Sequence, residues 1–172
     1  IRKYGFHGTS HRFVARRAAE LMNRGKYDVD LITCHLGNGS SIAAVKNGKS
    51  VDTSMGLTPL EGLVMGTRAG DLDAAIVFHL VRKGYSIEQL DSILNKKSGL
   101  LGISGISNDV RDLEHHAREG HEKAQLALDI FAYKIKKYIG LYSAVLNGCD
   151  GIVFSGGIGE NAVHVRESII NG

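Results

Sequence analysis

The sequence is poor in cysteine, in proline and in long hydrophobic runs. Its 172 residues include 2 cysteines and 1 proline. Cys34 and Cys149 lie far apart and have neither the spacing of a metal site nor the density of a disulfide framework. This favours a reducing compartment, and we expect a cytoplasmic protein. No apolar run approaches the ~20 residues that a membrane helix requires, and no stretch has the pattern of a signal peptide, so we expect no membrane association.

The sequence also lacks a strong excess of one charge. The formal net charge is +3, and charged residues make up 23% of the chain. The positive residues are scattered or alternate with acids, and the only dense pairs are Arg16-Arg17 and Lys136-Lys137. This pattern does not indicate nucleic-acid binding. Hydrophobic residues make up 43%, which is enough for the core of one large domain.

Hydrophobic periodicity and turn signals predict an α/β domain. Thr9 and Ser10 are suited to capping the first helix, and Asn47-Gly48 is a strong hairpin signal between two strands. A glycine-rich loop holding the single proline spans 55–70. The predicted strands span 29–36, 40–46, 49–54 and 151–155, and the predicted helices span 10–23, 71–83, 86–96, 121–147 and 160–170, with one more from Asn108-Asp109 to about 118.

Two apolar strands each run into a glycine-rich segment, LITCHLGNG at 31–39 and GIVFSGGIG at 151–159. Successive backbone N–H groups in such segments can form an anion-binding nest. In the second segment, a loop predicted at 156–159, the following helix adds a favourable dipole. Two such loops could bind one nucleotide from two sides. Each loop alone is equally well explained as a tight turn.

Neither of two known phosphate-binding motifs accounts well for the glycine-rich segments of this sequence. A P-loop is excluded, because Ala43 stands where its first glycine is needed and a strand–hairpin–strand replaces strand–loop–helix. Gly157, Gly159 and Ala162 do match a dinucleotide fingerprint. That match is weak alone, since its acidic ribose partner would fall beyond the chain. It leaves a dinucleotide oxidoreductase as one interpretation.

The stretch YGFHGTSHR (4–12) places His7 among small and hydroxylic residues. A histidine there can donate a hydrogen bond to a phosphoryl oxygen, or it can simply fix a loop. His7 and His11 also have the spacing of two zinc ligands, but no third ligand is evident. Arg68 lies in a glycine-flanked loop, and its guanidinium matches phosphate geometry. The alternative for Arg68 is a surface pair with Asp71.

Six motifs, in this order, resemble the acetate kinase family of short-chain carboxylate kinases. They are YGFHGTSH (4–11), CHLGNGSS (34–41), GLTPLEGLVMGTRAGD (56–71), SGLLG (98–102), SNDVRD (107–112) and FSGGIGEN (154–161). The resemblance implies an actin-like ATPase fold, the ribonuclease H-like architecture of the sugar kinase, Hsp70 and actin superfamily, with a mixed sheet flanked by helices. It also implies reversible phosphoryl transfer from ATP to acetate, giving ADP and acetyl phosphate, with Mg²⁺ and a homodimeric assembly.

The resemblance also implies roles for individual residues. His7 and Arg68 match the family's catalytic residues, which stabilise the phosphoryl group in transit. Phe6 and Pro59 match positions that line a small methyl pocket. The implied nucleotide-binding residues are His35, Leu36, Gly37, Asn38, Gly39, Asp109, Val110, Arg111, Gly157, Ile158, Gly159, Glu160 and Asn161. At the start of the helix predicted to about residue 118, the alternative is plain N-capping by Asn108 or Asp109.

Departures from the family pattern qualify the resemblance. The family's chain is more than twice this length, and its catalytic aspartate, substrate-binding arginine and magnesium-holding glutamate have no counterpart here. The first residue is Ile1 rather than methionine. We therefore expect residues 1–172 to be one nucleotide-binding domain, the C-terminal part of a two-domain kinase, and inactive alone. A propionate or butyrate kinase and a non-catalytic actin-like ATPase module remain as alternatives.

Overall fold

The computed structural model describes residues 2–171. Its helices are α1 (Gly8–Leu21), α2 (Ala75–Arg82), α3 (Ile87–Lys96), α4 (Gly99–Ser104), α5 (Val110–Arg118), α6 (Glu122–Leu146), α7 (Gly156–Asn161) and α8 (Val163–Ile170). Its strands are β1 (Leu31–Leu36), β2 (Ser40–Lys46), β3 (Lys49–Thr53) and β4 (Gly151–Ser155). The predicted elements are present with shifts of a few residues, apart from differences at α1, α4 and α7–α8.

The four strands form one mixed sheet in the order β3-β2-β1-β4. Strand β1 pairs antiparallel with β2 and parallel with β4, while β2 pairs antiparallel with β3. Asn47 and Gly48 connect β2 to β3, and both have the positive φ that a tight two-residue hairpin requires. The hairpin expected at these two residues is therefore confirmed.

Side chains of β1 alternate between two faces of the sheet, and helices cover both faces. On one face, Leu31 packs with alanines of α1. On the other, Ile32, Cys34 and Leu36 join the larger core, to which α6 contributes Phe131. This arrangement confirms the predicted α/β architecture of a mixed sheet flanked by helices.

Helix α6 closes the second face of the sheet. Its residues Phe131, Ile135 and Tyr142 are fully buried. The helix also contacts α4, α5 and α8, so its apolar stripe is used within the domain. Neither α6 nor any other helix in the described part of the chain is both long and apolar enough to span a bilayer.

Helix α1 begins at Gly8 rather than near residue 10, and neither Thr9 nor Ser10 caps it. Its N-cap is His7, which has a left-handed backbone (φ 59°) and makes no side-chain capping hydrogen bond. Ser10 lies within the first turn, and its hydroxyl is 2.8 Å from Nδ1 of His35 in β1. A tertiary contact, which local capping rules do not consider, therefore replaces the predicted cap.

The glycine-rich loop 55–70 is held by α4, a helix that the sequence analysis missed. Backbone N–H groups within 98–101 donate hydrogen bonds of 2.9–3.0 Å to carbonyls of residues 65–67. Gly99 lies at this contact with a φ of 63°, and a Cβ added there would be 2.1 Å from the Met65 carbonyl oxygen. Only glycine fits at this contact. The hydrogen bonds from α4 fix the path of the loop that carries Arg68.

The last part of the described chain differs from the prediction. The expected glycine loop at 156–159 is a helical turn, because α7 starts directly after β4. Ala162 then breaks the helix with φ −84° and ψ 83°, and α8 begins at Val163. The single helix predicted over 160–170 is therefore wrong. The break leaves α7 as a separate short helix at the end of β4.

We expect Gly99→Ala to destabilise the protein by about 2–5 kcal/mol, because a strained φ adds to overlap with the Met65 carbonyl. Gly105, at the other end of α4, provides a matched control. It has a φ of 74°, but no atom lies within 4 Å of a Cβ added there. Gly105→Ala should therefore cost only about 1–2 kcal/mol. Urea unfolding measures both losses, and equal losses would contradict a tight contact between α4 and the loop.

Candidate functional site

The parallel pairing of β1 and β4 brings the two glycine-rich segments to one edge of the sheet. His35 lies level with Ser155, so the two strands end together. The segments that follow are in close contact, since a Cβ added to Gly156 would lie 2.6 Å from the Leu36 carbonyl oxygen. Ligands of open α/β sheets commonly bind at the carboxyl ends of parallel strands. This edge is therefore the candidate site.

A cavity of about 530 Å³ opens between these two segments and the start of α5. Its volume is in the range of small-molecule sites. The wall contains most of the nucleotide-binding residues predicted from the sequence, namely Gly37, Asn38, Asp109, Val110, Arg111, Gly157, Ile158 and Asn161. Asn108, Glu114 and Ala162 complete it. Three segments that are distant in the sequence therefore meet around one space.

The other predicted nucleotide-binding residues lie outside this wall. Leu36 is fully buried in the core, and Gly159 is buried in α7. Gly39 lies instead toward His7 and Arg68. His35 is half-buried and is bonded to Ser10 of α1. Burial lowers the pKa of His35, and the exposed Glu160 nearby opposes that shift.

Asn38 connects the first glycine-rich segment to two other parts of the site. Its side-chain oxygen accepts a hydrogen bond of 2.8 Å from the Asn108 amide. Its backbone carbonyl accepts one of 3.0 Å from the Gly66 N–H. Asn108 was missed as a site residue, because its position beside the α5 cap suggested only a capping role. These bonds join the cavity to the loop that carries Arg68.

Asp109 caps α5 and is also paired with Arg111. Its carboxylate accepts a hydrogen bond of 2.9 Å from the Arg111 backbone N–H, which confirms the capping role considered above. The Arg111 guanidinium donates to both carboxylate oxygens and lowers the pKa of Asp109. The Arg111 side chain is 88% exposed. The start of α5 therefore presents a guanidinium to solvent at the cavity wall.

His7 and Arg68 converge on Gly39. A Cβ added to Gly39 would lie 3.2 Å from Arg68 Nη1 and 4.0 Å from His7 Nε2. Burial, followed by the nearby His35 and Arg68, lowers the pKa of His7, so its ring is neutral near pH 7. This places one cationic group and one neutral imidazole next to the first glycine-rich segment.

Arg68 is not paired with Asp71, so that alternative is excluded. Asp71 instead accepts hydrogen bonds from the Gly62 N–H at 2.8 Å and from the Tyr138 hydroxyl at 2.6 Å. Tyr138 belongs to α6, so its hydrogen bond to Asp71 anchors the end of the loop to the core. Arg68 Nη1 lies 3.9 Å from the Met65 sulfur. The guanidinium therefore keeps donors for a ligand.

The sheet face covered by α1 carries a network that the sequence analysis missed. The Ser41 hydroxyl oxygen lies 3.0 Å from His7 Nδ1 and 2.8 Å from His11 Nε2, and His11 Nδ1 lies 2.8 Å from Thr33 Oγ1. Both His11 nitrogens are thus engaged, which leaves none for zinc. Burial lowers the pKa of His11 to about 4. The available signal was that Thr33 and Ser41 are polar residues inside apolar strands.

The two residues predicted to line a methyl pocket lie on neighbouring segments. Phe6 and Pro59 are both half-buried. The backbone N–H groups of Tyr4 and Gly5 donate to the Gly56 carbonyl at 2.9 and 3.0 Å, which ties the segment before His7 to the start of loop 55–70. Within residues 2–171, no three His, Cys, Asp or Glu side chains are grouped to hold a metal ion.

Comparison with known proteins gives consistent matches along the whole chain. A family profile described as the Acetokinase family matches residues 1–172. The acetate kinase of Halothermothrix orenii is 61% identical over 171 residues, covering 99% of this chain and 43% of that protein. The acetate kinase of Methanosarcina thermophila is 60% identical over 173 residues, covering 100% and 42%. The chain therefore spans less than half the length of these relatives.

Solved structures agree with these matches. Porphyromonas gingivalis acetate kinase has a TM-score of 0.96 at 48% identity, covering 99% of this chain and 43% of that one. A propionate kinase from Francisella tularensis has a TM-score of 0.95 at 49% identity, covering 99% and 44%. The mixed sheet with flanking helices is thus that of acetate and propionate kinases, and it is consistent with the actin-like ATPase fold. Sequence and structure together show that this chain belongs to the acetokinase family.

Proposed function

We propose that the protein takes part in reversible phosphoryl transfer from ATP to acetate, which gives ADP and acetyl phosphate. The observation that carries this proposal is the convergence of His7 and Arg68 on Gly39, beside a cavity of about 530 Å³. Membership of the acetokinase family supports the choice of a carboxylate as acceptor. We further infer that residues 1–172 act as one nucleotide-binding domain of a two-domain kinase.

Phosphoryl transfer to a carboxylate can be assisted by a guanidinium and an imidazole. A carboxylate acceptor is already anionic, so it needs no general base to become a nucleophile. What the reaction needs is alignment and neutralisation of the charge on the transferring group. Arg68 supplies a guanidinium and His7 an imidazole N–H for this role. His7 and Arg68 are therefore the proposed catalytic residues.

The proposed nucleotide site uses both glycine-rich segments. Within residues 35–39, the end of the segment at Asn38 and Gly39 would contact the phosphates through backbone N–H groups. Leu36 is fully buried and the Gly37 N–H is bonded to the Ser40 hydroxyl. Residues 109–111 and 157–161 would hold the base and the ribose, since most of these residues line the cavity. This division of roles needs no large movement of the described residues. Asn38 already accepts a hydrogen bond from Asn108 at the start of α5, and the Gly156 backbone already lies against the Leu36 carbonyl.

Magnesium, which the family resemblance implies, is not matched by the described residues. They contain no group of three candidate ligands. The two carboxylates in the cavity wall are each beside an arginine, Asp109 beside Arg111 and Glu114 beside Arg118. No step proposed above depends on a metal held by these residues.

A propionate kinase is the second candidate, because the propionate kinase of Francisella tularensis is as similar in fold as the acetate kinase. A pocket discriminates one methylene by only about 1–3 kcal/mol. We propose that Phe6 and Pro59 line the pocket that makes this choice. Family membership argues against a dinucleotide oxidoreductase. A non-catalytic ATPase module would not need a pocket for a small carboxylate.

We also propose that the active protein is a cytoplasmic homodimer. The use of ATP and the two free cysteines support a cytoplasmic location. Helix α2 supports self-association, because none of its residues is buried although Ile76, Phe78 and Val81 are apolar.

Residues 1–172 alone should bind ATP weakly and form almost no acetyl phosphate, because the resemblance places the acetate-binding groups in another domain. Isothermal titration measures ATP binding, and trapping of acetyl phosphate with hydroxylamine measures turnover. The control is an acetate kinase of full family length assayed in parallel. Full turnover from the 172 residues would contradict the two-domain proposal.

In the active two-domain enzyme, Arg68→Ala should lower kcat by roughly 10³–10⁵-fold, the effect of losing an arginine on the transferring phosphoryl group. Arg68→Lys should restore part of the rate, because lysine keeps the positive charge but lacks the bidentate geometry of the guanidinium. Arg16→Ala, on the exposed side of α1, is the control and should leave kcat unchanged. Retention of more than a tenth of kcat in Arg68→Ala would reject the proposed role.

Gly157→Val should raise the KM for ATP by at least about tenfold and leave the KM for acetate nearly unchanged, because the side chain enters the nucleotide cavity. No atom lies within 4 Å of a Cβ added to Gly157, so the substitution should not disturb the fold. Gly140→Val in α6 is the matched control, since its surroundings are equally open. Equal KM values for ATP in the two variants would place the nucleotide elsewhere.

A further inference from the structure

The end of helix α3 is held by the loop that carries Arg68. The last four carbonyl groups of an α-helix have no donor within the helix, so they must find one elsewhere. The Leu94 carbonyl accepts a hydrogen bond of 2.9 Å from the Ala69 N–H, and the Asn95 carbonyl accepts one of 2.9 Å from the Thr67 hydroxyl. The residues directly before and after Arg68 are therefore both attached to the end of α3.

Thr67 is attached through its backbone as well as its side chain. Its carbonyl accepts a hydrogen bond of 3.0 Å from the Ser98 N–H, directly before α4. The direction of the side-chain bond is fixed, because the Asn95 carbonyl oxygen carries no hydrogen and the Thr67 hydroxyl must be the donor. This bond uses the only hydroxyl hydrogen of Thr67, so the side chain serves the junction between α3 and α4.

The Arg68 side chain depends on this backbone support for its direction. Its Nη1 contacts the Met65 sulfur at 3.9 Å, which is a weak interaction because a thioether is a poor acceptor. The same nitrogen lies 3.2 Å from the position that a Cβ on Gly39 would take. A long side chain with weak contacts of its own takes its direction from the backbone on either side of it.

We propose that Thr67 is a positioning residue for Arg68, and that its hydrogen bond to the Asn95 carbonyl directs the guanidinium toward Gly39. Thr67 is not part of the wall of the nucleotide cavity, so its effect on the reaction would pass through Arg68. The effect on the rate rests on the proposed function, whereas the ordering of Arg68 does not. A misplacement of about 1 Å in a reacting group can cost roughly a hundredfold in rate.

The test compares two substitutions of Thr67 in the active two-domain enzyme. Thr67→Val keeps the shape of the side chain but cannot donate, and Thr67→Ser keeps the donor. Thr53→Val is the matched control, because the Thr53 hydroxyl also donates to a carbonyl, that of Ile42 at 3.2 Å. Valine at this position keeps the γ-methyl that lies beside Gly5.

Thr67→Val should lower kcat by about 10- to 100-fold and leave the KM for ATP within about twofold, because Arg68 is misplaced while the nucleotide cavity is intact. Thr67→Ser should keep kcat within about threefold of wild type, and Thr53→Val within about twofold. Urea unfolding should show that both valine variants are folded at the assay temperature. The loss of kcat is then separated from a loss of folded protein.

A double-mutant cycle distinguishes positioning of Arg68 from a general structural role. Thr67→Val added to Arg68→Ala should lower the residual rate by less than about twofold, because no guanidinium remains to be positioned. A general structural role would lower both rates by the same factor. Hydroxylamine trapping during long incubations measures the residual rate of Arg68→Ala.

NMR of ¹⁵N-labelled arginine measures the order of Arg68 without any reaction. Arg68→Lys assigns the Nε–H signal of Arg68 by its loss. In Thr67→Val, the ¹⁵N–¹H heteronuclear NOE of this signal should fall, whereas Thr67→Ser and Thr53→Val should keep the wild-type value.

Two results would overturn the proposal: an unchanged kcat in Thr67→Val, or an equal loss of rate in the wild-type and Arg68→Ala backgrounds. Failure of the proposed function has a different signature. If the enzyme forms no acyl phosphate but Arg68 loses order in Thr67→Val, the positioning role stands and the assigned reaction is wrong. If the Arg68 signal is also unchanged, both proposals are wrong.

Discussion

The site depends on the parallel pairing of β1 with β4. Because these strands run in the same direction and end level with each other, the glycine-rich segments that follow them emerge at one edge of the sheet. Antiparallel pairing would place them at opposite edges. The Gly156 backbone also lies against the Leu36 carbonyl, so the two segments are in contact where they leave the sheet. The cavity is therefore a direct result of the sheet topology.

A second level of organisation connects the cavity to the proposed catalytic groups. Asn38 bonds the Gly66 backbone, and the same region of the loop accepts hydrogen bonds from the start of α4. Asp71 anchors the end of that loop to Tyr138 of the core helix α6. The loop that carries Arg68 is thus held at both ends. Such support matters, because a small misplacement of a group that acts on a transferring phosphoryl costs much of the rate.

Much of this could be predicted from local sequence. The strands, the Asn47-Gly48 hairpin and the long helix follow from periodicity and turn chemistry, and the motifs indicated which residues would meet. The start of α1 could not be predicted, because Ser10 bonds His35 rather than the helix end. Helix α4 was missed since it is short and takes its role from contact with loop 55–70. In each case a contact with residues far along the chain outweighed the local preference.

The histidine network was missed for a related reason. Thr33 and Ser41 were read as ordinary members of buried strands, and His11 as one of two possible zinc ligands. Only the pairing of β1 with β2 and the packing of α1 on that sheet bring the three side chains together. No spacing rule along the chain contains that information, although the polar residues in apolar strands were a visible sign.

The two faces of strand β2 have different roles, because successive side chains of a strand point to opposite faces of the sheet. Ile42 and Ala44 point into the large core, while Ser41 meets the histidines on the opposite face. Shifting β2 by one residue would exchange the two sets, putting a hydroxyl in the core and an isoleucine among the rings. Substitutions at these positions act on one face only, but an insertion or deletion of one residue acts on both. A change of length within β2 would therefore disturb the core and the histidine network at the same time.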